Sequence, residues 1–172
     1  MNLWHEVNPI TKRGINCIIE IPKGSTKKYE LNKNSGKFIL SRKTFPVLNY
    51  NYGFIPRTMA DDNDPLDVIV LGRKKFRGSI VACRPVAILK MKDEEKWDDK
   101  ILAVPANNLE LKRINNLTDV PKTVLDDIKS FFSHYKDNYF KKTKVFKWLA
   151  CSKAQLEIEK SIRRYSKIKN VL

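Results

Sequence analysis

Short runs of Ile and Val, bounded by Gly, Pro, Asn or charged residues, dominate the first two thirds of the chain. Such runs are typical of β-strands, and their spacing favours a small barrel or a strongly curved sheet. We therefore predict strands over Asn16–Ile21, Phe38–Leu40, Val68–Leu71, Ile80–Leu89 and Ile101–Val104.

The last third of the chain has the apolar period of α-helices. Asp119 is the expected N-cap of a first helix with Pro121 in its first turn, and Ser152 with Gln155 matches a capping box for a second. Apolar residues recur at helical spacing in both segments, at Val124, Leu125, Ile128, Phe131, Phe132 and Tyr135 and at Ala154, Ile158, Ile162 and Tyr165. We therefore expect a mainly β fold with flanking α-helices.

Length and composition predict one domain. The 172 residues, 42% of them hydrophobic, suffice for one buried core, and no repeat or linker divides them, so we expect a single domain over residues 1–172. No apolar run approaches the ~18–20 residues of a membrane span, and the N-terminus lacks the pattern of a secretory signal. We expect a cytoplasmic protein whose Cys17, Cys83 and Cys151 are free thiols, since no CxxC spacing suggests a metal or redox pair.

The net charge of +15 is unevenly distributed. Lys and Arg outnumber Asp and Glu by ten to three in residues 1–60 and by fifteen to seven in residues 107–172, but residues 61–106 carry nine of each. Their acidic residues form two clusters, Asp61–Asp67 and Asp93–Asp99. A positive protein with two acidic clusters indicates a site for metal ions together with an anion.

The first cluster places Asp62, Asp64 and Asp67 on a turn that leads into an apolar strand. Carboxylates crowded this closely ionise together only when cations compensate them, and oxygen ligands favour Mg²⁺ or Mn²⁺ over zinc. Asn63 tolerates left-handed backbone and Pro65 restricts the residue before it, so we expect a rigid turn. An Asp-rich turn on the solvated surface is an equally good interpretation of this motif alone.

The second cluster separates two predicted strands. Alone, a charged hairpin tip is more often merely solvated, but two acidic turns at strand ends can converge on several ions. A set of basic and phenolic side chains could then bind both phosphates of a substrate, although each could instead lie on the surface or in the core: Lys28, Arg42, Tyr52, Lys100, Tyr135 and Lys136.

One long stretch resembles a known family. Asn51–Met59, leading into Asp62–Val68, resembles the signature of the soluble family I inorganic pyrophosphatases, NYG-F-I-P-x-T followed by D-x-D-P-x-D-V. Further segments match in order across roughly residues 4 to 165, among them Ile19–Pro22, Lys28–Glu30, Arg84–Val86, Ala103–Pro105 and Phe131–Lys136.

This resemblance implies an OB-like five-stranded β-barrel whose mouth carries the active site. It also implies that pyrophosphate is hydrolysed with several Mg²⁺ ions, or other divalent ions, by an enzyme that forms homo-oligomers, hexamers in bacterial members of this length.

The resemblance also assigns roles to individual residues. Asp62, Asp67 and Asp98 would hold a first metal, and Asp67 would share a second. Asp93 and Asp98 would hold a third ion, and Asp64 would be the general base for the attacking water. Further waters and ions would be oriented by Glu20 and Glu30, and the phosphates would be bound by Lys28, Arg42, Tyr52, Lys100, Tyr135 and Lys136.

Two other functions remain open at this point. The basic charge and the predicted barrel also suit a nucleic-acid-binding OB-fold module, although acidic clusters at its mouth would repel a phosphate backbone. The other alternative is a metal-dependent nuclease or phosphatase of different specificity.

Overall fold

The computed structural model of the protein describes residues 1–43, 46–137 and 141–169. In chain order the elements are α1 (Leu3–Glu6), β1 (Ile10–Thr11), β2 (Gly14–Ile21), β3 (Lys28–Leu31), β4 (Phe38–Arg42), β5 (Asn51–Phe54), β6 (Asp67–Val70), β7 (Ile80–Asp93), β8 (Lys96–Trp97), β9 (Lys100–Pro105), a 3₁₀ helix (Leu117–Asp119), α2 (Lys122–His134), β10 (Thr143–Ala150) and α3 (Cys151–Lys169). Within these residues no helix has both the length and the apolar character needed to cross a membrane.

Five strands close into a barrel. β2 pairs with β5 and β7, β5 with β6, and β7 with β9, all antiparallel, while β6 and β9 pair in parallel and complete the ring. The long strand β7 pairs with β2 through Ile80–Cys83 and with β9 through Cys83–Leu89. Its register with β9 shifts between Pro85 and Ala87, and such a bulge bends a strand. The predicted mainly β fold with a five-stranded barrel is confirmed.

Further strands extend the barrel. β1 pairs with β2, and β8 and β10 both pair with β7, while β3 and β4 form a separate hairpin. This hairpin is tied to the barrel by Leu31, whose backbone N–H donates to Glu20 Oε1 at 2.8 Å. The strand β3 therefore lies beside the end of β2.

The two faces of the central strands are both buried. On β6, Val68 and Val70 pack in a cluster with Ala154 and Ile158 of α3, whereas Ile69 packs in a second cluster with residues of α2. Because successive side chains of a strand point to opposite faces, burial of both faces requires a continuous apolar run. This explains why these strands appear in the sequence as unbroken apolar segments.

All five predicted strands lie wholly or mainly within observed ones, but both predicted helix starts are wrong. Asp119 belongs to the 3₁₀ helix, where its side chain accepts from the backbone N–H of Asn116 in a capping box, and α2 begins after Pro121. Ser152 is the second residue of α3, which begins at Cys151, whose N–H donates to Asn116 Oδ1 at 3.0 Å. The side chain of Asn116 therefore takes part in the start of the 3₁₀ helix and in that of α3.

The three cysteines are all described and form no disulfide. Cys17 and Cys83 are buried, and Cys151 is partly buried. The predicted free thiols are confirmed.

Candidate active site

A cavity of about 370 Å³ opens between the mouth of the barrel, the β3–β4 hairpin and α2. All the site residues predicted from the sequence line it, namely Glu20, Lys28, Glu30, Arg42, Tyr52, Asp62, Asp64, Asp67, Asp93, Asp98, Lys100, Tyr135 and Lys136. Residues more than one hundred positions apart in sequence thus share one small volume.

The first acidic turn is held by a hydrogen bond within it and by another to Thr58. Asn63 has a positive φ of 67°, as its position in the motif predicts. The backbone N–H of Asp64 donates to Asp62 Oδ1 at 3.0 Å, and that of Leu66 donates to Thr58 Oγ1 at 2.9 Å. This turn leads directly into Asp67, the first residue of β6.

Lys100 lies at the centre of the acidic groups. It is only 1% exposed, and its Nζ lies 2.6 Å from Asp67 Oδ2 and also pairs with Asp98. Burial alone would lower the pKa of Lys100, but Asp67 and Asp98 raise it above its usual value. Lys100 therefore remains a cation between two carboxylates.

Asp67 itself is under opposing influences. The pKa of Asp67 is raised to about 6, chiefly by burial and also by repulsion from Asp98, against the lowering effect of Lys100. Tyr52 donates its hydroxyl to the same Asp67 Oδ2 at 2.5 Å. Burial, followed by the charges of Asp67 and Asp98, raises the pKa of Tyr52 above its usual value, so this phenol remains a hydrogen-bond donor at neutral pH.

The second acidic turn meets the end of α2. Lys136 Nζ pairs with Asp93 Oδ2, while Asp93 Oδ1 is buried and has no hydrogen-bond partner among the described residues. Tyr135 lines the cavity beside Lys136, and burial is the largest cause of the raised pKa of Tyr135. A buried carboxylate oxygen without a donor fits a position for a cation.

Glu20 and Glu30 lie on the wall formed by β2 and β3. Burial raises the pKa of Glu20 to about 8, and nearby Asp67 and Glu30 add repulsion. Glu30 pairs with Lys28, and the pKa of Glu30 is lowered because the charge and hydrogen bond of Lys28 outweigh burial. Lys28 in turn lies opposite Arg42 across the β3–β4 register.

The oxygen ligands available in the cavity fit hard divalent cations. The ligands available are carboxylate oxygens, burial is the first cause of the raised pKa of Asp62, Asp67 and Glu20, and Asp93 offers an unpaired oxygen. In the described part of the chain, no three acidic, His or Cys side chains converge on one ion-sized position. Lysine ammonium groups instead pair with five of the seven carboxylates that the structure describes in the cavity lining, those of Glu30, Asp64, Asp67, Asp93 and Asp98.

Comparison with known proteins decides the family. The family model for inorganic pyrophosphatase matches residues 17–166. The chain belongs to the inorganic pyrophosphatase family. It is 43% identical to the inorganic pyrophosphatase of Aquifex pyrophilus over 89% of this chain and 90% of that protein. It is 41% identical to that of Campylobacter jejuni over 88% and 91%.

Solved structures agree with this assignment. The inorganic pyrophosphatase of Thermus thermophilus superposes with a TM-score of 0.90 at 35% identity, over 96% of this chain and 99% of that one. Membership of the inorganic pyrophosphatase family, which the signature predicted, is confirmed. The alternative of a nucleic-acid-binding module is not favoured. Family I pyrophosphatases are metal-dependent hydrolases, which agrees with the carboxylates of the cavity.

The pyrophosphatase cavity also contains residues that the sequence did not single out. Lys33 lines it, pairs with Asp64 Oδ1, and donates to the carbonyl of Asn63 at 3.0 Å. Trp4 and Phe132 form apolar parts of the wall. In a chain with 34 Lys and Arg residues, no pattern distinguishes Lys33, and its role becomes visible only when the β3–β4 hairpin is placed beside the acidic turn.

Proposed function

We propose that the chain hydrolyses inorganic pyrophosphate to two phosphates. The observation that carries this proposal is the mixed lining of one cavity, in which carboxylates able to hold cations face basic and phenolic groups able to hold phosphate oxygens. Pyrophosphate needs both, because charge builds up on the departing phosphate as the bridging bond breaks.

Mg²⁺ is the metal that this set of oxygen ligands would hold. Asp62, Asp67 and Asp98 would bind a first ion, Asp67 would share a second, and Asp93 with Asp98 would bind a third. Glu20 and Glu30 would orient waters around them. When bound, such cations supply Lewis acidity, which lowers the pKa of water and neutralises charge on phosphate oxygens.

Asp64 is the proposed general base. Its side chain is 57% exposed, so it is open to water at the rim of the cavity, whereas Asp67 is largely enclosed with 23% exposure. Lys33 pairs with Asp64 Oδ1. The exposure of Asp64 supports a role as acceptor of a proton from an attacking water rather than as an enclosed ligand.

The remaining polar groups would bind the two phosphates. The raised pKa values of Tyr52 and Tyr135 keep both phenols protonated and therefore able to donate. The Tyr52 hydroxyl, which donates to Asp67 in this structure, would exchange that acceptor for a phosphate oxygen. Fixed donors of this kind stabilise the charge that develops in the transition state. The complete set is Lys28, Arg42, Tyr52, Lys100, Tyr135 and Lys136.

The proposal also covers the domain organisation, the oligomeric state and the cellular location of the protein. We propose that residues 1–172 form one domain, because Trp4 and Tyr165, near opposite ends of the chain, pack in one cluster. A homo-oligomer, hexameric by family resemblance, and a cytoplasmic location remain proposals that sedimentation analysis and cell fractionation would test.

The test of the activity is phosphate release from pyrophosphate, with and without EDTA. We expect release only when Mg²⁺ is present, and much slower release from nucleotides and phosphomonoesters. Full activity in excess EDTA would rule out the metal-dependent mechanism, and faster cleavage of phosphomonoesters would instead support a phosphatase.

A further inference from the structure

The hairpin that carries Asp93 and Asp98 is covered on its outer side by two aromatic rings. Trp97 of β8 and Phe146 of β10 lie with ring centroids 5.5 Å apart and planes inclined by 41°. Both are partly exposed, at 38% and 36%. Two solvated aromatic rings in contact on a strongly basic surface require an explanation.

Strand register explains how the rings are held. Lys92 of β7 lies opposite Trp97 in β8 and opposite Lys144 in β10, so these side chains share one face of the sheet. The ammonium groups of Lys90 and Lys92 lie 4.6 Å and 4.8 Å from the Trp97 centroid, and that of Lys144 lies 5.1 Å from the Phe146 centroid. At these distances cations attract the rings.

The acidic residues lie on the other side of the same hairpin. Asp93 follows Lys92 and Asp98 follows Trp97, and both line the cavity. Asp98 directly follows Trp97, the last residue of β8, so the orientation of Trp97 affects the side on which Asp98 lies. The backbone of the hairpin therefore connects the aromatic pair on its outer side with the carboxylates that face the cavity.

The backbone conformation at the tip of the hairpin is unfavourable for the two residues that adopt it. Glu94 and Glu95 have positive φ angles of 47° and 71°, a conformation that two-residue hairpins require and that Gly or Asn supply more easily. The support comes from neighbours, since the Glu94 N–H donates to the carbonyl of Lys142 at 3.1 Å and the Asp98 N–H to that of Met91 at 3.0 Å. A strained turn of this kind persists only when its surroundings hold it.

We propose that Trp97, packed on Phe146, is a positioning residue that holds this hairpin so that Asp93 and Asp98 both face the cavity and can bind a divalent cation there. The proposal rests on the proposed metal-dependent function. It concerns the shape of the hairpin, however, which can be measured without metal or substrate.

The first test is amide hydrogen exchange in the metal-free protein. In Trp97→Ala, exchange of the Glu94 and Asp98 amides should accelerate at least about tenfold, with Trp97→Phe close to wild type. Phe76→Ala is the matched control, because Phe76 is an 86% exposed aromatic residue outside the cavity lining. The amides of Ile101 to Val104 in β9 report whether the barrel remains folded.

The second test is Mg²⁺ titration, by calorimetry and by phosphate release. Loss of a group that orients ligands typically weakens metal affinity about 10- to 100-fold. Trp97→Ala should therefore need correspondingly more Mg²⁺, with kcat at saturating Mg²⁺ within about twofold of wild type. Glu95→Gly in the Trp97→Ala background should recover part of the affinity, because Gly favours a positive φ.

The outcomes separate the proposals. Hairpin amides that exchange at the wild-type rate in Trp97→Ala, or an unchanged Mg²⁺ titration, would overturn the positioning role. If the β9 amides also exchange faster in Trp97→Ala, the barrel itself has been disturbed, and Phe146→Ala is used instead because it removes the same ring contact from β10. In that variant, faster exchange must be confined to the hairpin amides. Failure of the wild-type protein to cleave pyrophosphate would overturn the function, while the exchange data would still decide the role of Trp97.

Discussion

Asp67 and Lys100 begin two neighbouring parallel strands, and the register of β6 and β9 pairs them directly, with Lys100 Nζ 2.6 Å from Asp67 Oδ2. The same ammonium group also pairs with Asp98. Burying carboxylates costs free energy unless charge compensates them, and removal of one partner leaves the others uncompensated. Lys100 is thus both a proposed phosphate ligand and a structural counter-ion.

Lys100→Met should therefore destabilise the metal-free protein. We expect the free energy of unfolding in EDTA to fall by about 3 kcal/mol, the lower range for breaking a buried ion pair. Mg²⁺ should restore part of it, since a bound cation replaces the lost charge. Urea denaturation with and without Mg²⁺ measures both effects.

The control for Lys100 is Lys122→Met, which removes an exposed i,i+4 pair with Asp126. Such pairs contribute only about 0.3–0.5 kcal/mol. Equal stability losses in the two variants would show that Lys100 does not compensate the buried carboxylates.

The metal-free protein should lose stability as the pH rises from about 6.5 to 8. The pKa of Glu20 is raised to about 8, above its ordinary value of 4.5, so the native state retains a proton that the unfolded state has released. Stability from this group is complete below the unfolded pKa and is lost as the pH rises through the folded pKa. The expected slope is up to about 1.4 kcal/mol per pH unit.

Glu20 dominates the upper part of this pH window. The pKa of Asp67 is about 6, and that of His5 is lowered, by burial first, from 6.5, so both groups contribute to the slope mainly near its lower end, at about pH 6.5. Urea unfolding in EDTA across the window measures the slope, and Glu20→Gln should flatten it. A slope that persists unchanged in Glu20→Gln would assign the proton to another group.

Local signals in the sequence predicted a small barrel or curved sheet and its two acidic turns, whereas the other residues of the cavity were predicted from the family resemblance. The apolar run Val68–Leu71 lies directly after Asp67, so the strand and its acidic residue could be placed together. The strands β3 and β5 gave no comparable run, since Lys28–Leu31 is half-polar and Asn51–Phe54 contains Gly53.

What the sequence could not predict depends on tertiary contacts. Asn116 lies outside both helices predicted from the sequence, yet its side chain accepts from the N–H of Leu117 and from that of Cys151, 35 residues away. Likewise Lys33 gains its position beside Asp64 only through the fold of the β3–β4 hairpin. Such long-range hydrogen bonds override local capping signals.

The charge of +15 should produce only weak binding to nucleic acid. Contacts with phosphate backbones are lost steeply with salt when no base-specific groups support them. We expect filter binding or fluorescence anisotropy to show low affinity for DNA, no sequence preference, and loss of binding at about 0.2 M salt. Tight and sequence-selective binding at physiological salt would contradict this expectation.

Asp64 and Asp67 should fail differently when each is replaced by Asn, because the proposal gives the exposed Asp64 the role of base and the enclosed Asp67 that of metal ligand. Asp64→Asn keeps the shape but removes basicity, so turnover should fall about 10²–10⁴-fold with Mg²⁺ affinity near wild type. Asp67→Asn should weaken Mg²⁺ affinity as well, and excess Mg²⁺ should recover part of its turnover. Calorimetry and phosphate release against Mg²⁺ concentration separate the two, and the assignment is wrong if Asp64→Asn loses the metal while Asp67→Asn retains it.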